Sequence, residues 1–452
     1  MSLVHVLPGA TPVLLTRLRA TLTGRFASAT ILALVAGLVS RAFFLLSMVG
    51  ASRLLSTDEF GRFALAYNTA QLAQAFALLG LGPTIQYFVA RYRSTDRELA
   101  SRYLVACRRL SAGAAISVAL LIGVFADFIA RHGYAIENAA SFLVIAGPMG
   151  ATLIWCEMQM AVLAALERYR DQLAVAAASG PATTLLVVGG CHIAALPGAL
   201  LGLGLGLGLN AAGLTLAARR AVALAGIQMH ASPDRATWRE IARFAAPIFA
   251  ASLFWMPTIW AGNALLARQP SGVHEVAVFA AAWQWYSMLT FFPTIAMSVA
   301  FVLMSHGAES RNVAHLHPLR SSLISLFVMG PPVAIVALAS PLIMSIYGPA
   351  FQENWLTLAI LAMATLTITP TLICTNTLAI TGRLRSRILV NFTWSLVLIP
   401  AAYMLTSYGS AGLATAHSIS HVARLIVALV LIYRYQSQAG AFPYLLRFLF
   451  KK

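Results

Sequence analysis

The stretch SATILALVAGLVSRAFFLLSMVGAS, residues 28–52, holds one charged side chain, Arg41, in an otherwise apolar run. An α-helix needs about 20 such residues to cross roughly 30 Å of hydrocarbon. Inside lipid the backbone must satisfy its own hydrogen bonds, so a run of this kind reads as a helix. The short alternating segments of a membrane β-barrel are not found. Similar runs recur along the 452 residues, 60% of which are hydrophobic and only 10% charged. A soluble domain carries about 25% charged residues. The chain is therefore an all-α integral membrane protein.

The runs predict helices at about 28–52, 62–84, 111–130, 139–165, 172–193 and 198–218 in the first half. In the second half they predict about 243–266, 276–304, 322–346, 354–380, 387–407 and 411–433. That makes about twelve transmembrane helices in two six-helix bundles, residues 1–225 and 226–452. Basic residues gather in cytoplasmic loops. With a cytoplasmic N-terminus and alternating helices, only Arg53, Arg62, Arg131 and Arg268 fall outside, and Arg41 and Arg424 fall within helices. The rest of the 31 basic residues fall inside, among them Arg17, Arg19, Arg311, Arg447, Lys451 and Lys452. A wrong helix count would scramble that division, so both termini are expected in the cytoplasm. The same topology accounts for the net charge of +17. The basic residues form no single domain or stripe, which argues against nucleic acid as a partner. The N-terminus lacks the order of a signal peptide, so the first apolar helix is expected to serve as an uncleaved insertion signal. Cys107, Cys156, Cys191 and Cys374 form no CxxC pair and read as packing residues.

The halves echo each other. The segment from Gly133 to Asn138 resembles Gly348 to Asn354; Leu54-Leu55 resembles Leu265-Leu266; Pro83-Thr84-Ile85 resembles Pro293-Thr294-Ile295. Six helices keep one orientation, so this is a parallel repeat with an axis along the membrane normal. Such bundles often hold a substrate between the halves and work by alternating access. The join, about 219–242, leads into ATWREIARF, residues 236–244, which reads as an amphipathic helix on the cytoplasmic surface.

Four segments then carry a family pattern: SRAFFLL (40–46), ASRLLSTDEFGRFA (51–64), LGLG (79–82) and YFVARY (87–92). Together they resemble the N-terminal signature of bacterial oligosaccharide flippases, the Wzx-type polysaccharide transporters. These share a superfamily with multidrug and toxin extruders and lipid II flippases. The resemblance implies a multi-pass protein of the bacterial inner membrane, without enzymatic activity. It implies moving a polyprenyl-pyrophosphate-linked oligosaccharide across the bilayer for surface polysaccharide synthesis. Its partners would be lipid-linked oligosaccharide, membrane lipid and polysaccharide polymerase machinery.

Arg41 lies near the middle of the first helix. A charge there costs about 2.5–3.5 kcal/mol on the insertion scale and should face a cavity or a partner. With the resemblance, it reads as a cation that forks onto pyrophosphate; otherwise it pairs with Glu157, the acidic residue well inside a helix. Glu157 is alternatively a protonatable coupling group, for H⁺ or Na⁺. His417, Ser420, His421 and Arg424 share one face of the last helix. Arg424 reads as a second phosphate contact and the histidines as polar cavity groups, or all four as bundle hydrogen-bonding groups. Asn68 and Gln71 are candidates for sugar hydroxyls or for interhelical bonds. Arg53 and Arg268 read as phosphate contacts at the outer mouth or as helix anchors. Trp283, Trp285 and Tyr286 read as an interfacial aromatic belt, or as faces that stack on sugar rings. The glycines of 202–208 read as a close-packing helix face. No metal site and no ATP-binding motif are evident, so no cofactor is expected. Two other readings stay open: a cation-coupled multidrug exporter, which would want embedded carboxylates, and a membrane glycan polymerase or ligase, which would want a large outer loop.

Overall fold

The computed structural model describes residues 25–78, 80–136, 140–229, 231–252, 254–307, 318–380 and 383–438. Arg17, Arg19, Asn138, Arg311, Arg447, Lys451 and Lys452, used in the charge and repeat arguments, lie outside the described residues. Every regular element among the described residues is helical. Among the described residues eight stretches are long and apolar enough to cross a membrane, or nine when a bent pair counts as one span.

Helix α1 is Arg25–Leu54, α2 is Thr57–Ala77 and α3 is Leu81–Tyr92. Ser56 and Glu59 cap α2 reciprocally: Ser56 N–H donates to Glu59 Oε2 at 2.9 Å, and Glu59 N–H donates to Ser56 Oγ at 3.3 Å. The sequence suggested one helix over 62–84; instead α2 and α3 meet at a 48° bend. The bend sits at Gly80, whose φ of +73° suits glycine, and a Cβ there would lie 2.9 Å from the Ala245 carbonyl oxygen. Helix α4 (Arg97–Phe128) starts well before the expected 111, so Arg97, Arg102, Arg108 and Arg109 ride on a helix and not in a loop. A π-helical turn (Ile129–Tyr134) ends it. Then come α5 (Ala140–Ala165) and α6 (Tyr169–Leu224).

Helix α6 is two arms folded back at Ala194 and Ala195, close to the two separate helices expected. Glycines let the arms touch backbone to backbone. A Cβ on Gly198 would lie 2.0 Å from the Gly190 carbonyl oxygen, and one on Gly202 would lie 2.2 Å from that of Leu186. The packing face expected of residues 202–208 is thus turned toward the partner arm at Gly202 and Gly206, where Thr183 stands, but not at Gly208, around which there is open space.

The second half begins with α7 (Arg235–Ser252) and α8 (Trp255–Ala267), followed by α9 (Gly272–Gly307), α10 (Pro318–Leu338), α11 (Ser340–Ser345) and α12 (Pro349–Glu353). It closes with α13 (Leu356–Ala364), α14 (Ile368–Ile380), α15 (Leu384–Leu405) and α16 (Gly409–Gln438). Helix α7 does not lie on a lipid surface along its apolar face. That face docks on the first half: Phe244 stacks on Tyr87 at 4.8 Å, Ile241 is buried, and Tyr103 donates to the Glu240 carboxylate. Asp234 starts the helix, accepting from Thr237 N–H at 2.8 Å and Thr237 Oγ at 2.6 Å. These bonds, with the nearby Arg102 guanidinium, hold its carboxyl below the ordinary value. A lowered carboxylate stabilises the cap above its unfolded pKa, about 3.9, and the contribution disappears as pH falls through the lowered value. Proteolysis ahead of Arg235 in detergent should therefore accelerate several-fold at strongly acidic pH. Asp234→Ala should be cut fast at every pH and lose that response.

The apolar core is not divided evenly. At the end carrying Leu55, Phe60, Tyr347 and Phe351, one core contains residues of both halves. Toward the other end there are two separate cores. One joins Leu81 and Tyr103 of the first half to Ile241 of α7; the other, within the second half, includes Cys374, Val390 and Ile432. All four cysteines are buried and free.

Candidate functional site

A cavity of about 510 Å³ lies between the halves. Helices α1, α2, α5 and both arms of α6 line one side, and α8 and α9 line the other. Arg41 supplies the only charged side chain among its described lining residues. The guanidinium carbon stands 4.5 Å from the centroid of the Phe291 ring, a cation–π geometry. Among the described residues Arg41 makes no ion pair, and Glu157 is not in this cavity. The structural pair that the sequence left open is therefore absent among the described residues.

Asn68 and Gln71 line the same cavity, with Asn210, Asn263 and Gln284 from other helices. Asn68 Oδ1 is buried and has no hydrogen-bond partner. Asn210 is held in place: Ser179 Oγ donates to its Oδ1 at 3.0 Å. Trp283 also lines the cavity, and Tyr286 is buried, so these aromatics are interior and not a lipid-facing belt. The cavity thus offers one cation, several amides and aromatic faces. Amides and Arg donate to hydroxyls and phosphate oxygens, and aromatic faces stack on sugar rings.

The last helix places its polar stripe elsewhere. His417 and His421 are 1% exposed and line neither cavity described here. The His417 ring packs against Phe279, Trp283 and Trp394, and neither ring nitrogen has a partner. His421 Nε2 and Tyr286 Oη share a hydrogen bond at 2.8 Å. Arg424 donates from Nη2 to Asn391 Oδ1 at 2.7 Å. It opens on a second cavity of about 410 Å³, which Glu157 lines from the first half. Two residues that the sequence assigned to different roles thus face one space.

Arg53 and Arg268 line neither cavity. Arg53 donates from Nε to Ile346 O at 2.6 Å and from Nη2 to Ser345 O at 2.7 Å. Arg268 donates from Nε to Gly133 O at 2.9 Å and from Nη2 to His132 O. Each arginine reaches across to the other half.

Sequence reasoning passed over Asn210, Asn263 and Gln284. Each is a lone amide in a long apolar run, and that is the signal for an interior-facing position.

A family described as polysaccharide biosynthesis protein matches residues 26–308. The EPS I polysaccharide export inner membrane protein EpsE of Ralstonia nicotianae is 24% identical, over 92% of this chain and 95% of that one. Among solved structures, the inward-facing conformation of a multidrug resistance MATE family transporter of the MOP superfamily superposes with a TM-score of 0.78 at 15% identity, covering 91% of this chain and 99% of that one. The lipid II flippase MurJ, in an inward closed conformation, superposes with a TM-score of 0.71 at 13% identity, covering 89% and 87%. These likenesses give the fold.

Proposed function

Because the chain belongs to the polysaccharide biosynthesis protein family, we propose that it is a secondary transporter, with no enzymatic activity, that flips polyprenyl-pyrophosphate-linked oligosaccharide from the cytoplasmic to the outer leaflet of the bacterial inner membrane. The observation that carries this reading is the central cavity. It holds an arginine without an ion pair among the described residues and a ring of amides, the chemistry of an anionic glycan. A drug exporter for cations would place a carboxylate there; the described lining residues include none. The fold shared with a lipid II flippase and the export role in EpsE's name support the same substrate class.

In this reading the chain crosses the membrane twelve times, as two six-helix halves, 1–225 and 226–452, with both termini in the cytoplasm. The end with Arg53 and Arg268 then faces outward, and the end with separate cores faces the cytoplasm. The halves rock about the cavity. The prenyl tail stays in lipid while the head group passes between them. Glu157, in the second cavity, is the group to carry a coupling H⁺ or Na⁺. A polysaccharide polymerase would take the delivered glycan on the outer side.

The test is depletion of the protein in its own cell. Lipid-linked oligosaccharide should accumulate on the cytoplasmic leaflet and surface polysaccharide should fall, both restored by the wild-type gene. Normal outer-leaflet delivery in depleted cells would remove the flippase reading.

A further inference from the structure

The Arg53 and Arg268 bonds form a reciprocal pair. Arg53 closes the first helix of one half and donates twice to carbonyls at the end of α11 in the other. Arg268 closes α8, the second half's opening span, and donates twice to carbonyls of the π-helical turn that ends α4. The two arginines are as far apart in sequence as Gly133 is from Gly348, so the repeat sets each in the same place.

Their surroundings show what the bonds span. Between the two latches the halves touch closely. The Phe60 and Phe351 rings meet edge to face at 5.8 Å, Tyr134 lies 5.4 Å from Trp260, and Ser52 Oγ donates to Tyr347 O at 3.3 Å. A Cβ on Gly61 would lie 2.1 Å from the Val273 carbonyl oxygen, so main chains of the two halves meet there too. At the opposite end the core of the first half, joined only by α7 of the second, is separate from the core that holds Cys374, Val390 and Ile432.

We propose that Arg53 and Arg268 are two symmetry-related latches that hold the outer gate closed, and that they act on gating instead of binding substrate. The proposal rests on the alternating-access reading and on its membrane orientation. The main-chain acceptors belong to the opposite half, so rocking the halves apart at this end breaks all four bonds together. Bonds present in one state and absent in the other bias the equilibrium by their full worth. Both arginines are exposed, which limits each latch. Loss of one should raise the outward-open population roughly three- to tenfold, and loss of both by about the product, since they share no partner.

Gating is read without transport. Gln284 lines the central cavity, so a cysteine there is reached from outside only when the gate opens. In Gln284→Cys protein, an impermeant maleimide added to intact cells should label slowly. Arg53→Ala and Arg268→Ala should each label several-fold faster, and the double variant faster than either. Arg53→Lys should fall between, since one ammonium replaces the two-pronged contact. Tyr408, 75% exposed near Arg268's end of the bundle, gives the control. Tyr408→Cys should label rapidly and equally in every background, which shows equal insertion, and a monodisperse peak after detergent extraction shows that each variant is folded. If Tyr408→Cys stays unlabelled in intact cells, the orientation is wrong and the transport reading falls with it. If it labels and the double variant still labels at Gln284→Cys at the parent rate, the latch proposal alone is overturned.

Discussion

Replacing Arg41 by alanine is expected to lower delivery of lipid-linked oligosaccharide to the outer leaflet by about 10- to 100-fold, the worth of one lost charged hydrogen bond. Stability should not fall with it. A guanidinium at mid-membrane costs about 2.5–3.5 kcal/mol on the insertion scale. An embedded structural arginine recovers that cost through an oxygen acceptor, as Arg424 does in part by donating from Nη2 to Asn391 Oδ1. Arg41 makes no ion pair among the described residues and rests on the Phe291 face at 4.5 Å, a contact worth about 0.5–2 kcal/mol. The rest of the cost is relieved by the cavity that Arg41 faces, where its side chain is exposed, and no protein partner depends on it. Arg41→Ala protein should melt in detergent at the wild-type temperature or above it, the usual trade between a strained site and stability. Lysine keeps the charge and loses the planar fork, so Arg41→Lys should recover part of the transport. Measuring delivery, membrane abundance and melting temperature together separates the cases. Loss of transport with a large drop in melting temperature would make Arg41 a structural residue.

The second large effect is on folding. Gly198→Val should abolish accumulation of folded protein, and Gly198→Ala should cost about 1–3 kcal/mol or more. The Gly198 Cβ position lies 2.0 Å from the Gly190 carbonyl oxygen, and the reverse substitution at Gly190 meets Gly198 O at 2.1 Å. Both obstacles are backbone, which cannot rotate away. The arms of α6 would have to separate along the face that Gly202 continues. Gly208→Ala is the internal control, because nothing stands within 4 Å of its Cβ. Alanine is better than glycine in a helix by about 1 kcal/mol, so that change should be neutral or stabilising. Thermal unfolding of detergent-solubilised protein, followed by loss of the monodisperse peak, ranks the three. Equal melting of Gly198→Ala and Gly208→Ala would mean the arms are not in contact.

Much of this architecture is legible in the sequence because lipid imposes one rule, a long apolar run for each helix. Arg41 announced itself as a charge inside such a run, and it stands in the central cavity beside Asn68 and Gln71. The unreadable parts share a physical cause. Lipid and protein interior are both apolar, so a membrane helix shows little periodicity to reveal which face is inside. Trp283 and Tyr286 look the same in a belt as in a core. The amphipathic face of α7 likewise has one pattern whether it meets lipid or, as here, Tyr87 and Tyr103. The bend at Gly80 depends on Ala245, distant in sequence. The carbonyl partners of Arg53 and Arg268 are invisible for another reason: main-chain acceptors carry no residue signature.

The core that holds Leu81 and Tyr103 has a consequence for how the protein is made. Its buried members run past the midpoint to Ile227 and Ile241, with Trp238 and Phe244 packed on them. A chain leaving the ribosome places its first six helices before those residues exist. Until Ile241 and Phe244 emerge, the newborn half presents an uncovered greasy facet. Cutting the gene after codon 225 would make that orphaned state permanent, whereas cutting after Ser252 would leave the facet covered. The unit of biogenesis therefore runs past α6, and the excess is one helix, α7, that the rest of the chain lends to it.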